Sequence, residues 1–185
     1  MLTSAFFVSV LSIFTLQYSA FLVCNKHTAE MEGPFVVFVI GLHVNNWLAV
    51  NQWLPVVKAM NGMLQELYRN KELGFLDAAF FMSARGPVQI QYWRSFDQLE
   101  QYARSGELHL SAWRDFNQKA AKSGGVGFFH ETYLVEAGMY ECMYVNMPVY
   151  GLAKAGQHVP AVGKRETARR RLGGENAPAV PTPDA

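Results

Sequence analysis

The chain has little charge for its size. Of 185 residues, only 16 are Lys or Arg and 15 are Asp or Glu, which gives a formal net charge of +1 at pH 7. A general nucleic-acid binder carries a basic excess, so the composition argues against a nucleic-acid partner. The positive charge is unevenly placed, because one basic cluster lies near the C-terminus. It consists of Lys164, Arg165, Arg169, Arg170 and Arg171.

Cysteine is also scarce, and the common cofactor motifs are missing. The two cysteines, Cys24 and Cys142, have neither the number nor the spacing of a disulfide framework or a zinc site. The glycine-rich stretch 124–127 precedes a predicted strand, whereas a dinucleotide fingerprint follows a strand and begins a helix. The sequence also lacks a Walker loop, a nucleophile elbow and a Cys-x-x-Cys pair. Neither a nicotinamide nor a nucleotide site is supported, and we predict no metal site.

The N-terminal segment Leu2 to Cys24 contains no charged residue. A membrane-spanning helix needs about 20 mainly apolar residues, whereas a signal peptide needs a basic start, a shorter apolar core and a small-residue cleavage site. The segment therefore predicts a transmembrane anchor over residues 1–24, with a signal peptide or a helix packed on a partner as alternatives. Positive residues after it, beginning with Lys26, favour a single-pass membrane protein with a cytosolic domain.

The remaining chain has the pattern of one domain with flanking segments. We predict a linker over residues 25–33, a folded domain over 34–152 and a tail over 153–185 that is first basic and then rich in Pro and Ala. The apolar run at 35–42 is typical of a buried strand. Ser95, with a glutamine three residues later, forms a capping-box pattern that predicts the start of a helix.

The predicted elements follow the order β-α-β-β-α-β plus one extra strand. The last two strands are predicted to form a hairpin over residues 127–148, around a tight turn at Ala137 and Gly138. The fold class is therefore α+β, in the ferredoxin-like split βαβ arrangement with helices on one face of an antiparallel sheet. Because the other face has no helices to cover it, we predict a homodimer whose two sheets form an α/β-barrel, with a cavity between sheet and helices.

Two patterns in the domain place polar residues beside apolar ones. Gln91 and Trp93 share one face of a strand whose opposite, apolar face suits packing against the helices. The polar face therefore indicates an interface, a lined pocket or a solvated edge. His109, Trp113 and Asn117 are four residues apart and form one stripe of a predicted helix. Histidine in that position can act as a general base or a haem ligand, or can simply cap the preceding loop.

The predicted hairpin carries further candidates. His130 and Glu131 are neighbours on a strand and point to opposite faces, so they cannot act as one acid–base pair or bind one ion together. Glu131 lies between Phe129 and Tyr133 on its face, where burial would favour a tuned base and exposure would leave an ordinary surface carboxylate.

On the second predicted strand of the hairpin, Tyr144 and Asn146 share a face with Cys142. Cysteine among tyrosines is more often a small buried hydrophobe than a nucleophile, because no neighbouring cation in the sequence stabilises a thiolate.

Four segments carry a resemblance to a known family: VQIQYWRSFDQLEQYA, HLSAWRDFN, GFFHETYLVEAGMYECMYVNMP and YGLAKAG. They resemble small monooxygenase-like proteins related to the polyketide monooxygenase of fumagillin biosynthesis, in the dimeric α/β-barrel superfamily that includes the antibiotic-biosynthesis monooxygenases. The resemblance covers about Gly33 to Leu172. Phe129 replaces a Trp of the relatives, and Val145-Asn146 replaces a pair of Asn, so substrate preference is expected to differ if these positions shape the pocket.

The resemblance implies a small-molecule monooxygenase of secondary metabolism. It would oxidise a hydrophobic polyketide- or lipid-like substrate with O2, without flavin or metal. Alternatives are a haem enzyme of the same fold, which holds haem through one His as aldoxime-dehydrating and haem-degrading relatives do, and a non-catalytic ligand-binding barrel. The candidate catalytic residues are His109, Glu131 and His130. The candidate substrate-binding residues are Gln91, Trp93, Trp113, Asn117, Tyr133, Tyr144 and Asn146.

Overall fold

The computed structural model describes residues 23–106, 109–111, 114, 116–117 and 124–175. The strands are β1 (Val23–Glu30), β2 (Phe35–Val44), β3 (Phe75–Ser83), β4 (Gly86–Trp93), β5 (Val126–Val135), β6 (Tyr144–Met147) and β7 (Gln157–Pro160). The helices are α1 (Val50–Arg69), α2 (Phe96–Ser105), α3 (Leu152–Ala155) and α4 (Ala168–Arg171). Short 3-10 helices occupy Lys71–Leu73 and Gly163–Arg165, and residues 109–111 and 114 are also helical.

The main sheet has four antiparallel strands in the order β3-β4-β2-β5. Apolar residues of α1 and α2 pack on one of its faces, where Leu67 and Leu99 meet Trp93, Phe75 and Val36 in a buried cluster. With α1 between β2 and β3 and α2 between β4 and β5, the described elements follow the split βαβ order. The predicted α+β class with an antiparallel sheet is confirmed.

One local prediction inside the domain is also confirmed. Ser95 caps α2, because its Oγ accepts a hydrogen bond from the Gln98 backbone N at 3.2 Å. The turn between β3 and β4 consists of Ala84 and Arg85, and Gly86 is the first residue of β4. Gly86 has a φ of 135°, and a Cβ there would lie 3.1 Å from the Leu42 carbonyl oxygen. Glycine therefore suits both the backbone angle and the close approach of β2.

The predicted hairpin over residues 127–148 is wrong. β5 pairs with β2 along its whole length, from Phe35 opposite Val135 to Val44 opposite Val126. β6 belongs to a different sheet, where Lys26 of β1 pairs with Val145. The reason is that β1 offers β6 a second sheet edge, and the eight residues between β5 and β6 give the chain enough length to reach it.

The second sheet contains β6, β1 and β7 in that order. Together with α3 it covers part of the main-sheet face that lacks α1 and α2, where Ala29, Leu152 and Ala153 pack with Phe35. Lys154 of α3 adds an ion pair to Asp77 of β3, with 3.5 Å between Nζ and Oδ2. The predicted linker therefore includes most of a central strand, and the predicted tail includes α4 and the edge strand β7. The predicted limits of the folded domain, residues 34–152, remain a prediction.

The predicted membrane anchor and cytosolic single-pass placement require a correction. No helix in the described ranges is both long enough and apolar enough to cross a membrane. The last two residues of the predicted anchor, Val23 and Cys24, lie in β1, whose hydrogen bonds run to neighbouring strands. Residues 1–22, on which most of that prediction rested, lie outside the described residues.

Candidate active site

A small cavity of about 50 Å³ lies between the main sheet and helices α1 and α2. Apolar side chains of β2 and both helices form most of its surface, including two methionines of α1. Polar groups reach it from β4, from α2 and from the helical residues after α2. They belong to Gln89, Gln91, Trp93, Tyr102 and His109.

The strand β4 turns its polar face, rather than its apolar face, toward the helices. Gln89 is 2% exposed, Gln91 8% and Trp93 0%. The sequence-based expectation that the apolar face packs on the helices is therefore wrong. The reason is that the second sheet and α3 bury part of the other face of β4, around Tyr92. An apolar surface is therefore favourable on that face as well.

The buried side chains of β4 form a ladder of hydrogen bonds with a fixed direction. Trp93 Nε1 donates to Gln91 Oε1 at 3.0 Å, and Gln91 Nε2 donates to Gln89 Oε1 at 2.9 Å. An indole nitrogen can only donate, so it fixes the orientation of the first amide and, through it, that of the second. The ladder therefore ends in the amide nitrogen of Gln89, which is buried and has no hydrogen-bond partner among the described residues.

His109 presents a second unpaired polar atom beside the same cavity. Its Nδ1 is buried and has no hydrogen-bond partner in the described part of the chain. Burial lowers the pKa of His109 below its ordinary value of 6.5, and a hydrogen bond with the Ala103 backbone offsets part of that effect. The imidazole is therefore neutral at pH 7 and can accept a proton.

Tyr102 lies next to His109, with 6.1 Å between the ring centroids, but its hydroxyl is already bonded. It donates to Glu66 Oε2 at 2.6 Å. Burial, followed by this hydrogen bond, raises the pKa of Tyr102 well above 10. Tyr102 therefore stays protonated, and its geometry suits a supporting role beside His109 rather than proton transfer.

The candidates on β5 lie away from this cavity. Glu131 and Tyr133 are exposed on the face of the main sheet opposite the helices, where the Tyr133 hydroxyl donates to Glu131 Oε2 at 2.5 Å. His130 is on the helix side of the sheet, with its ring 5.6 Å from that of Phe38, but it is exposed on the edge strand. Glu131 therefore lacks the burial that would favour it as a tuned base.

The remaining candidate site residues lie in other parts of the chain. Tyr144 and Asn146 belong to the second sheet, where Asn146 Oδ1 accepts a hydrogen bond from the Asn25 backbone N at 3.2 Å beside an irregularity in β1. Asn117 is exposed, and Trp113 lies outside the described residues. The structure thus brings together Gln91, Trp93 and His109. Sequence reasoning missed Gln89, although the alternation Gln-x-Gln-x-Trp could have identified it.

The cavity is small for any bound substrate or cofactor, haem included. A cavity of about 50 Å³ is far smaller than the roughly 300–1,000 Å³ of typical ligand and cofactor pockets. Within the described ranges, no group of three or more His, Cys, Asp or Glu side chains could hold a metal ion.

One known protein family matches most of the chain. The family model described as "Monooxygenase af470-like" matches residues 35–152, which include β2 to β6 and every residue that lines the cavity. The chain belongs to this family. Membership of the Monooxygenase af470-like family supports an oxidoreductase, although it names no reaction, and it confirms the resemblance found in the sequence.

A curated relative within the Monooxygenase af470-like family is similar over the same region. "Monooxygenase af470" of Aspergillus fumigatus (strain ATCC MYA-4609 / CBS 101355 / FGSC A1100 / Af293) is 31% identical over 125 residues, which are 62% of this chain and 44% of the relative. The chain therefore matches less than half the length of that protein.

Two solved structures are more distant. An aldoxime dehydratase (OxdRE) in complex with butyraldoxime has a TM-score of 0.59 and 18% identity, over 73% of this chain and 40% of that one. SnoaB, a cofactor-independent oxygenase from Streptomyces nogalater, has a TM-score of 0.39 and 14% identity, over 54% of this chain and 90% of that one. The first shows a shared fold alone, and the second is too dissimilar to support an argument.

Proposed function

We propose that the protein is a monooxygenase that oxidises a hydrophobic polyketide- or lipid-like substrate with O2, without flavin or metal. The observation that supports this proposal is the pairing of two unsatisfied groups in one buried cavity. Gln89 offers an N–H donor at the end of a fixed ladder, and His109 offers a neutral imidazole. A base and a donor for negative charge are the two groups that oxidation through a substrate anion requires.

The proposed reaction begins with removal of a proton from an acidic CH₂ or OH group by His109. The Gln89 N–H then stabilises the enolate or phenolate oxygen, and the low polarity of the cavity strengthens that interaction. The carbanion form gives one electron to O2, and the resulting radicals combine to a hydroperoxide that loses water. A CH₂ thus becomes C=O, one oxygen atom enters the product, the other leaves as water, and the substrate supplies all the electrons.

The cavity must enlarge before it can hold the proposed substrate. About 50 Å³ holds a water or two, or one O2, and cannot hold a polyketide. Met60 and Met63 of α1 line this space, and methionine side chains adopt many shapes at small cost. We therefore propose that substrate enters by displacing these side chains from the cavity.

Labelled oxygen provides the test of this function. The full-length protein, incubated with ionisable phenolic and polyketide-like compounds under isotopically labelled O2, should consume O2 and yield a product with one labelled atom. Mass spectrometry of the product measures the incorporation. Tight binding without turnover across the panel would contradict the proposal and favour the ligand-binding barrel, and label arriving from water instead of O2 would contradict the oxygenase mechanism.

We also propose that the protein forms a homodimer through the main-sheet face opposite the helices. Phe81, Phe129 and Tyr133 on this face are 42%, 40% and 51% exposed, although they lie together on one sheet. An exposed apolar patch of this kind commonly marks a protein interface. A second copy would cover the patch and complete the barrel.

The dimer should be visible in light scattering at micromolar concentration, with a mass near twice that of the chain. Phe129→Asp should shift the mass toward one chain, because it places a charge in the proposed interface. Leu48→Asp is the matched control, since Leu48 is 92% exposed and lies outside the main sheet. A monomer at all concentrations, or equal effects of both substitutions, would contradict this interface.

A further inference from the structure

A second and larger pocket of about 390 Å³ lies on the second sheet, outside the proposed active site. Its surface comes from β1, from the loop between β5 and β6, and from the C-terminal segment that contains α4. A volume of this size falls within the range of pockets that bind small organic molecules, about 300–1,000 Å³. It shares no lining residue with the cavity around His109.

The pocket carries an excess of positive charge. Four cationic side chains and two carboxylates line it, which leaves an excess of two positive charges (four minus two). The whole chain has a formal net charge of only +1, so the pocket is a local concentration of positive charge. The cations are Lys164, Arg165, Arg170 and Arg171, and the carboxylates are Glu30 and Glu141.

Two of the arginines join the walls of the pocket through ion pairs. Arg165 forms an ion pair with Glu30. Arg171, whose side chain is 7% exposed, forms an ion pair with Glu141 and donates from Nη1 to the carbonyls of Arg165 at 2.7 Å and Glu166 at 3.0 Å. These contacts tie the C-terminal segment to β1 and to the loop before β6, so the pocket has a defined shape.

The other two cations are available to a ligand. Among the described residues, the side chain of Arg170 bonds only through Nη1, which contacts the Gly163 carbonyl at 3.1 Å and Glu166 at 3.5 Å, and this side chain is 42% exposed. Lys164 is exposed and has no hydrogen bond or ion pair among the described residues. The Nη2 and Nε groups of Arg170 and the ammonium group of Lys164 are therefore free to donate to anionic oxygens, which arginine and lysine bind well.

An apolar surface borders these donors. Tyr140 lines the pocket and is held in place, because its hydroxyl accepts a hydrogen bond from the Met31 backbone N at 2.6 Å and its ring packs edge-on against Phe35 at 5.3 Å. Ala29 of β1 also lines the pocket. The pocket thus combines two free cations with a fixed aromatic side chain, which suits a ligand with an anionic group on an apolar body.

All four cations lie outside the part of the chain that the family model matches, which ends at residue 152. The cations of the pocket therefore come from the C-terminal flanking segment, whereas Tyr140 and Glu141 belong to the matched region. The existence of the pocket does not depend on the proposed oxygenase chemistry. We propose that it binds a small organic anion, a carboxylate or phosphate carried by an apolar or aromatic group, through Lys164 and Arg170.

Calorimetric titration of the full-length protein with phenyl phosphate, and separately with inorganic phosphate, tests this site. Phenyl phosphate should bind saturably and more tightly than inorganic phosphate, and raising the salt concentration should weaken its affinity. Lys164→Gln and Arg170→Gln should each weaken binding by about 10- to 100-fold, the loss expected for one hydrogen bond to a charged group. Both residues are exposed, so the melting temperature should stay unchanged.

Arg85→Gln is the matched control, because Arg85 is also an exposed arginine and lies in the turn between β3 and β4. An equal loss of affinity in Arg85→Gln would overturn the proposal, since it would show that only net charge matters. Absence of saturable binding by phenyl phosphate would also overturn it. Binding to vesicles of anionic phospholipid but not to phenyl phosphate would overturn it too, and would assign the charge to a lipid surface.

Discussion

Replacement of His109 with alanine is expected to lower turnover of an oxidisable substrate by about 10²–10⁴-fold, the contribution of a positioned general base. The reason is that His109 supplies a neutral imidazole whose Nδ1 is buried and has no hydrogen-bond partner among the described residues. His43→Ala is the control, because His43 is exposed and its Nδ1 already contacts Asn45 Oδ1 at 2.8 Å. Initial rates of O2 consumption at saturating substrate give the comparison.

The pH dependence adds an independent measurement on the same residue. Because burial lowers the pKa of His109 below 6.5, kcat/KM should stay high at pH 7 and fall as the pH drops through that lowered pKa. Folding also favours the neutral imidazole, so its contribution to stability is present above pH 6.5 and is lost as the pH falls through the folded pKa. NMR titration of the ring measures this pKa directly.

The activity of two variants can contradict the assignment of His109 as the base. Full activity in His109→Ala would remove this residue from the reaction. Loss of activity in Glu131→Gln at the same time would move the base to the opposite face of the main sheet, where Glu131 and Tyr133 are joined by a hydrogen bond. A folded His109→Ala protein with lower O2 consumption and no response in the His43 control would support the proposed base.

Replacement of Trp93 with alanine is expected to reduce the free energy of unfolding by about 3–5 kcal/mol, the usual loss when a large aromatic residue is removed from a core. Trp93 is fully buried and packs edge-on against Phe75, with 5.6 Å between ring centroids. The substitution also removes the donor at the start of the glutamine ladder. Chemical denaturation with linear extrapolation measures the change.

Trp47→Ala is the matched control for size, because Trp47 is 45% exposed. Its loss should cost much less than the loss of Trp93, since less apolar surface returns to water. Trp93→Phe separates packing from hydrogen bonding: it keeps most of the ring but leaves the buried Gln91 Oε1 without its donor, at a cost of about 1–3 kcal/mol. Equal effects of the alanine substitutions at Trp93 and Trp47 would contradict the predicted role of Trp93 in core packing.

Sequence reasoning went furthest where the signal is local. The capping residue Ser95 was predicted correctly, because a cap depends on backbone groups within a few positions. The alternation of β4 correctly placed Gln91 and Trp93 on one face. It could not show that this face is buried against helices, because that depends on what the second sheet offers to the other face.

The sequence also predicted only part of the candidate site. Three predicted residues, Gln91, Trp93 and His109, line one cavity, and their neighbour Gln89 was missed. The candidates on β5 and β6 lie elsewhere because these strands do not pair with each other. A single cavity lined by all the candidates required the hairpin, and with β5 and β6 in different sheets the candidates do not share one cavity.

By itself, the sequence determined the α+β order of the main domain, the family and the local ends of its elements. These properties depend on the types and spacing of residues within short stretches of the sequence. Only the tertiary structure decided that β1 lies between β6 and β7, which side of β4 is buried, and that the basic C-terminal segment forms a pocket with Glu30 and Glu141. Those choices join residues more than a hundred positions apart, such as Lys26 and Val145. They depend on which apolar faces and strand edges remain uncovered after the rest of the chain has packed.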